Sequence, residues 1–246
     1  MNDRIKRSLN TQETLGRFAV WLTAPLIVLA IRLAGWRIRD LAAVRRRIRD
    51  LMRQHRGPWL ICANHLTLID SFILAYAMFP SWRYMTGFHL VPWNMPEYMN
   101  FNRNRLVGAF CYLTKCIPVV RGGDREEVKQ SLEKCVKILQ KGQNLMIFPE
   151  GTRSRTGRVN TRDYTYNVGR WMCQMSEVRV LCMYLRGDGQ DTYSDFPRYG
   201  ETFTVMVEPC SPETKLRGLR AHRDCAGQII GHLAEMEKRY FARRGK

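Results

Sequence analysis

Three short polar segments of this chain each lie at the end of an apolar run and bring together side chains that could do chemistry. The first, residues 64–70, reads Asn-His-Leu-Thr-Leu-Ile-Asp, so His65 precedes Asp70 by five positions. A carboxylate bonded to one ring nitrogen fixes the tautomer of a histidine and leaves the other nitrogen free to accept a proton. The pair therefore predicts a general base, His65, that is oriented by Asp70.

This interpretation requires a particular local structure. A five-residue offset places two side chains about 140° apart on a helix, so His65 and Asp70 meet only if the histidine precedes the helix. A strand that ends at Ala63, a cap at Thr67 and Asp70 in the first helical turn meet this requirement. A structural alternative is a capping box of Thr67 and Asp70, with His65 bonded to backbone in a turn. Asp70 can serve both roles.

The other two segments carry arginines. Residues 148–154 read Phe-Pro-Glu-Gly-Thr-Arg-Ser and place Glu150 close to Arg153. A guanidinium suits a phosphate or carboxylate, and a nearby acid can hold it or bind a substrate hydroxyl; the alternative is a local ion pair in a surface turn. Residues 117–123 place Arg121 before two glycines at the end of an apolar run, and an ordinary strand-to-helix turn is the alternative there.

From residue 59, short apolar runs alternate with helical patterns, which predicts an α/β domain with a mostly parallel sheet flanked by helices. The predicted strands are 59–63, 116–120, 144–148, 178–184 and 202–207. The predicted helices are 68–79, 103–115, 124–141 with an Asp124/Glu127 cap pair and Gly142 as terminator, 163–176 and 216–241. Successive strands of one sheet would bring the three polar segments to one edge, where α/β proteins place their sites.

The three segments, in this order and with these separations, resemble the first three motifs of the glycerolipid acyltransferases typified by 1-acylglycerol-3-phosphate acyltransferases. The resemblance extends over residues 40–210 or so and implies a glycerol-3-phosphate acyltransferase-like α/β fold. It implies that His65 is the catalytic base and that Asp70 orients it. The residues implied in acceptor binding are Arg121, Glu150, Gly151, Thr152 and Arg153.

The activity that this resemblance implies is transfer of a fatty acyl group from acyl-CoA or acyl carrier protein to a hydroxyl of a lysophospholipid-like acceptor, such as lysophosphatidic acid. The donor is then a co-substrate, and neither a metal nor a further cofactor is implied. Two departures concern the acceptor and the sheet. The family often has Phe-Lys-x-Gly where residues 166–169 are Tyr-Asn-Val-Gly, and its fourth motif usually has a proline that residues 179–185 lack. Because the lysine is missing, an acceptor without a phosphoglycerol group, such as an amino-acid lipid or a specialised carrier-bound chain, is an alternative.

The first 56 residues predict a membrane-associated helical module ahead of an acyltransferase domain at 57–246. Residues 18–31 carry no charge, but a helix of that length, about 21 Å, is short for a hydrocarbon core of about 30 Å. An interfacial or re-entrant helix, a tilted span that continues to Trp36, and a signal peptide are all open. Residues 37–56 predict a cationic amphipathic helix, and if the apolar segment spans the membrane, their positive charge favours a cytoplasmic main domain.

The net charge indicates which class of partner the protein binds, and the cysteines indicate whether it carries disulfides or zinc. The net charge is +18, and residues 1–56 hold thirteen of the forty Lys and Arg but only four acidic residues. We expect a phospholipid surface as partner, on the cytoplasmic face of a membrane such as the bacterial inner membrane, with peripheral or single-span attachment. No nucleic-acid recognition module is evident, so nucleic acid is not expected, although a basic binding protein without catalysis remains the alternative class. The eight cysteines include no CxxC pair, which favours buried reduced thiols over disulfides or zinc.

Overall fold

The computed structural model describes residues 2–101, 104–120 and 125–244, in which helices surround one six-stranded sheet. The strands are β1 (Arg37–Ile38), β2 (Trp59–Ala63), β3 (Trp93–Asn94), β4 (Leu145–Ile147), β5 (Arg179–Gly187) and β6 (Thr202–Cys210). The helices are α1 (Asn2–Leu33), α2 (Leu41–Gln54), α3 (Asp70–Met78), α4 (Ser81–Thr86), α5 (Tyr98–Phe101), α6 (Arg105–Leu113), α7 (Arg125–Gln140), α8 (Asn167–Gln174) and α9 (Gly218–Arg244). The predicted fold class, a mostly parallel sheet flanked by helices, is confirmed.

The sheet has the strand order β1-β6-β5-β2-β4-β3, and its strands pair in parallel except for the antiparallel pair β5 and β6. All five residues of the central strand β2 are buried, which is typical of a parallel strand covered on both faces. Its alternate residues enter two cores. Leu60 and Cys62 pack with α7, α8 and α9, whereas Trp59, Ile61 and Ala63 pack with α2 and α3.

The N-terminal helix α1 lies against α3, α4 and α6, and is long and apolar enough to cross a membrane. After it, β1 pairs with the start of β6, and α2 packs on α3 and β6 through Val44, Ile48 and Leu51. The exposed side of α2 carries arginines, as expected for a cationic amphipathic helix. The boundary at residue 56 between module and domain stays a prediction.

One predicted strand is wrong. Residues 116–120 do not form a strand but make two isolated bridges, from Cys116 to Asn94 and from Val119 to Glu97. Pro118 has no N–H to donate, and the segment enters from Lys115, whose positive φ of 61° turns the chain sharply after α6.

Helix termini follow local rules where these were visible in the sequence. Gly142, with φ 74°, ends α7 through bonds from its N–H to Leu139 O and from Gln143 N–H to Ile138 O. This is the Schellman pattern that a glycine after a helix favours. The predicted cap residue Asp124 lies outside the described residues.

Candidate active site

His65 and Asp70 lie together at the carboxyl end of β2. Because β2 ends at Ala63 and α3 begins at Asp70, the histidine occupies the connecting turn and folds back toward the helix. Nδ1 of His65 lies 3.0 Å from Oδ2 of Asp70. Asp70 is 1% exposed and His65 14% exposed, so the carboxylate is sealed off while the ring keeps access to solvent. With Nδ1–H donated to Asp70, Nε2 is the acceptor atom of a neutral ring.

The turn itself orients Asp70. Its Oδ2 accepts the backbone N–H of Leu66 at 2.6 Å and that of Thr67 at 2.8 Å, and its Oδ1 accepts the hydroxyl of Thr67. Thr67 is not the helix cap, since Ile69 occupies that position, so the expected cap at Thr67 is wrong. Half of a capping box remains, because the carboxylate still accepts the Thr67 N–H. Asp70 thus serves the helix start and the histidine together.

Backbone pairing fixes where the turn begins. Asn64 follows β2 directly, and its side chain accepts the N–H of Leu185 at 2.7 Å and donates to the Leu185 carbonyl at 2.9 Å. The amide therefore continues the contact of β2 with β5 by one residue beyond the strand. This bond holds the peptide that leads into His65.

The segment after β4 supports His65 on its other side. The ring of Phe148 stacks on that of His65, with centroids 4.1 Å apart and planes 17° from parallel. The carbonyl of His65 accepts the N–H of Ser154 at 2.9 Å, and the N–H of His65 donates to Oε1 of Glu150 at 2.9 Å. The first and second polar segments of the sequence therefore meet.

Both carboxylate oxygens of Glu150 bond to backbone. Oε1 accepts from His65, and Oε2 accepts the N–H of Asn160 at 3.0 Å. Glu150 is 5% exposed. Burial raises the pKa of Glu150 to about 7, with smaller contributions from Glu237 and Asp70, while the two N–H donors act in the opposite direction. Through its two backbone hydrogen bonds, the carboxyl group of Glu150 links the histidine turn to the loop at residue 160.

The other residues implied in acceptor binding have different surroundings. Gly151 has φ 72° in a turn closed by its N–H on Phe148 O, a conformation that favours glycine. Thr152 lines the cavity described below. Arg153 donates through Nη1 to the carbonyl of Ser194 at 2.8 Å and to Asp195 at 2.7 Å, so it holds the 194–195 loop. Arg121 lies outside the described residues.

A cavity of about 690 Å³ opens in front of His65 and Glu150. Its walls are mainly apolar, with side chains from α3, α6 and α7 that include Phe72, Phe110 and Leu132. A narrower apolar pocket of about 70 Å³ between α1 and α3 shares Phe72, Asn94 and Cys116 with it, among other lining residues. A mostly apolar cavity with a few convergent polar groups is typical of a ligand site.

The two departures from the acyltransferase pattern have structural correlates. Asn167, where the lysine usually stands, begins α8 and lines the cavity. Gly169 packs against α9 so closely that a Cβ there would lie 1.9 Å from the carbonyl oxygen of His222. The absence of proline from β5 fits its position between β2 and β6, since it bonds to strands on both sides.

Sequence reasoning missed Asn160 and the loop at Ser194 and Asp195. These are polar residues in irregular segments, and only the tertiary fold brings them to Glu150 and Arg153. Nothing local in the sequence marks them. Across the part of the chain that the structure describes, no three His, Cys, Asp or Glu side chains are grouped as metal ligands. The eight cysteines are all free thiols.

Comparisons with known proteins place the chain in a family. Residues 37–185, more than half of the chain, match the model of the acyltransferase family. The chain is also similar to two chloroplastic 1-acyl-sn-glycerol-3-phosphate acyltransferases, with 26% identity over 106 residues in the protein from Arabidopsis thaliana and 26% over 104 residues in that from Brassica napus. The aligned segments cover 42% of this chain but only 26% of each relative. Since the family match runs from β1 into β5 and encloses the histidine, the aspartate and the segment after β4, this chain belongs to the acyltransferase family.

Proposed function

We propose that this protein transfers a fatty acyl group from an acyl thioester, of coenzyme A or acyl carrier protein, to a hydroxyl of a lysophospholipid-like acceptor at a membrane. The observation that carries the proposal is the contact of His65 with Asp70 at the wall of a mostly apolar cavity. Lysophosphatidic acid is the acceptor to test first, because the two plant relatives are named for acylation of 1-acyl-sn-glycerol-3-phosphate.

The reaction uses neutral His65 as general base. Nε2 takes the proton of the acceptor hydroxyl as its oxygen attacks the thioester carbonyl, and Asp70 stabilises the imidazolium that forms. The carbon–sulfur bond then breaks, the ester forms, and Nε2 returns the proton to the departing sulfur. No acyl-enzyme is needed. Cys62 is an unsuitable nucleophile, because it is fully buried in the sheet and burial raises its pKa.

The cavity suits an aliphatic chain next to the base. Its apolar walls exclude water from an acyl group, and His65, Glu150 and Thr152 are among the polar residues of the lining. The narrow pocket beneath α1 extends this apolar space. We place the acyl chain along these walls and the reacting carbonyl beside His65.

Glu150 supports the mechanism by positioning. A carboxylate whose two oxygens each accept a backbone N–H holds the main chain of His65 and has less capacity left for an acceptor hydroxyl. We therefore assign Glu150 to orienting the base, in place of the acceptor-binding role that the family resemblance implies. Arg153, bonded to Ser194 and Asp195, shapes the neighbouring loop.

Membrane association is proposed from the two faces of α1. One face, with Ile5, Leu9, Val20 and Ile31 buried, packs on the domain. The opposite face exposes a continuous apolar stripe of Leu15, Phe18, Leu22, Leu26, Leu29 and Leu33. A helix that packs along its length on the domain does not also stand alone across a bilayer, so we propose that α1 lies in the interface with this stripe in contact with lipid.

The acceptor has one rival that a specific residue favours. Asn167 replaces the usual lysine at the cavity wall, and an amide binds a neutral or zwitterionic group where an ammonium binds phosphate. Purified protein should be given acyl-CoA or acyl carrier protein as donor, with lysophosphatidic acid or an amino-acid lipid that bears a free hydroxyl as acceptor, and the products identified by mass spectrometry. If only the amino-acid lipid is acylated, it takes the place of lysophosphatidic acid as the proposed acceptor. If no combination of donor and acceptor gives product, the proposal of an enzyme is contradicted.

A further inference from the structure

A second cavity lies at the β6 edge of the sheet, between the start of α2 and the end of α9. It has a volume of about 590 Å³ and shares none of its lining residues with the active-site cavity. Four arginines line it, Arg39, Arg47, Arg243 and Arg244, against two acidic residues, Asp40 and Asp188. We call this cavity the arginine groove.

Two of these guanidinium groups are fixed by the protein. Nη2 of Arg39 lies 2.8 Å from Oδ2 of Asp188. Arg244 donates to the hydroxyl of Tyr240 at 3.1 Å and to the carbonyl of Asp188. Asp188 therefore holds both arginines at one end of the groove, so binding an anion there costs less side-chain entropy than binding to a free arginine.

The other two arginines are not neutralised. Within residues 2–101, 104–120 and 125–244, neither Arg47 nor Arg243 has an ion-pair partner, and both are exposed. The other acidic residue of the lining, Asp40, has no ion pair with either of them. Positive charge therefore exceeds negative charge at this site.

The floor of the groove is an open sheet edge. β1 pairs with β6 only at Thr202 and Phe203. Beyond them, Thr204, Val205, Met206 and Val207 line the groove, and no strand of the described chain covers that edge. An uncovered edge exposes backbone N–H donors, and Thr204 adds a hydroxyl.

We propose that the arginine groove binds a phosphate group, carried either by a lipid headgroup or by a free phosphoryl compound. A guanidinium fork matches two phosphate oxygens, and two fixed and two unpaired forks around one open cavity provide a site for this chemistry. The groove is close in sequence to the end of the apolar stripe, since Arg39 follows Leu33 by six residues across β1. This proximity favours a headgroup as the source, and only that preference depends on the membrane association proposed above.

The test compares two double variants of equal charge in the full-length protein. Arg47→Ala/Arg243→Ala removes the unpaired cations of the groove, whereas Arg46→Ala/Arg49→Ala removes two exposed cations of α2 that do not line it. Binding is measured to vesicles of phosphatidylcholine with and without phosphatidic acid, and to inorganic phosphate by calorimetry. Thermal melting of each variant checks folding, and if the first double variant does not fold, Arg47→Ala against Arg46→Ala decides.

We expect the groove variant to bind phosphatidic acid vesicles at least about tenfold more weakly than its charge-matched control, as expected for loss of a hydrogen bond to a charged group. Both variants should bind phosphatidylcholine alone equally. If the groove variant also loses binding of inorganic phosphate, a free phosphoryl compound is a source; if only vesicle binding changes, the source is a headgroup. An equal loss of vesicle binding in the two double variants would show that the positive charge acts without a defined site, and would contradict the proposal.

Discussion

Glu150 accepts the backbone N–H of His65 at 2.9 Å, so a carboxylate from the segment after β4 holds the peptide that carries the proposed base. The two residues are 85 positions apart in sequence. Asp70 controls the ring of His65 and Glu150 controls its main chain. The geometry of the proposed base therefore depends on two acids with separate tasks.

Glu150→Gln tests that division. An amide accepts one N–H through its oxygen but turns an NH₂ group toward the other, so one backbone bond is lost and His65 shifts. We expect kcat to fall about 10- to 100-fold with little change in KM for the acceptor, because a small misplacement of a catalytic group costs rate. Steady-state kinetics with the acceptor varied measures both constants.

The matched control is Glu237→Gln. Glu237 is another buried acid that accepts a backbone N–H, from Val159, and it does not line the active-site cavity. Its loss should lower stability and leave kcat within about twofold. A raised KM at constant kcat in Glu150→Gln would instead make Glu150 an acceptor ligand.

Glu150 also predicts a pH effect on stability. Because burial raises its pKa to about 7, the folded state binds a proton more tightly than the unfolded state does. The stabilising contribution is complete below the ordinary carboxyl pKa and is lost as pH rises through about 7. As pH rises from about 4 to about 8, the free energy of unfolding of wild type should fall by up to about 3 kcal/mol relative to that of Glu150→Gln.

Denaturant titrations of both proteins across this range measure the shift. A difference that stays constant with pH would mean that Glu150 has an ordinary pKa in the folded state. The comparison with the variant cancels the groups that titrate in both proteins.

Gly169 should tolerate no side chain. Its missing Cβ leaves room for α9, and alanine would meet the carbonyl of His222 at 1.9 Å and the backbone nitrogen of Ala226 at 2.8 Å. We expect Gly169→Ala to destabilise the protein by about 1–3 kcal/mol or more, through separation of α8 from α9. Gly231→Ala is the control, since a Cβ at Gly231 in α9 meets nothing within 4 Å and alanine favours helix. Equal melting temperatures of the two variants would contradict the close packing.

The apolar stripe of α1 should drive membrane binding. Leu22→Glu/Leu29→Glu places two charges on residues that are exposed in the structure, so folding is retained while vesicle binding is lost. Leu106→Glu/Leu219→Glu introduces the same charge at two exposed leucines outside α1. The fraction of protein that sediments with vesicles should fall much more for the α1 variant than for the control variant, relative to wild type. Equal sedimentation of the two pairs would remove the stripe as the lipid contact.

Sequence patterns located the parts of this protein that are governed by local rules. The apolar run of β2, the polar residues after it and the glycine after α7 each carry a signal within a few positions. The spacing of His65 and Asp70 allows their contact only if the histidine precedes the helix, and the structure shows this arrangement in place of the backbone-bonded histidine that the sequence left open. The role of Thr67 was wrong because its hydroxyl bonds to the Asp70 carboxylate in preference to helix backbone.

Other features had no local signal. β1 and β3 have two residues each, too few for any periodicity, and they are strands only because neighbours pair with them. The bond of Glu150 to Asn160 and that of Arg153 to Asp195 join irregular segments that only the tertiary fold brings together. The acceptor-binding role that the family resemblance implies for Glu150 stays a prediction, and a single sequence contains nothing that would show its two oxygens bonded to backbone.

The most direct test of the central claim is the turnover of purified His65→Ala, measured by mass spectrometry of the acylated product beside wild type and Glu237→Gln. General-base catalysis predicts a fall in kcat of about 10²- to 10⁴-fold for His65→Ala at an unchanged melting temperature. The kcat of Asp70→Asn should also fall, since this variant loses the carboxylate that orients the ring. Turnover by His65→Ala equal to that of wild type would contradict the account.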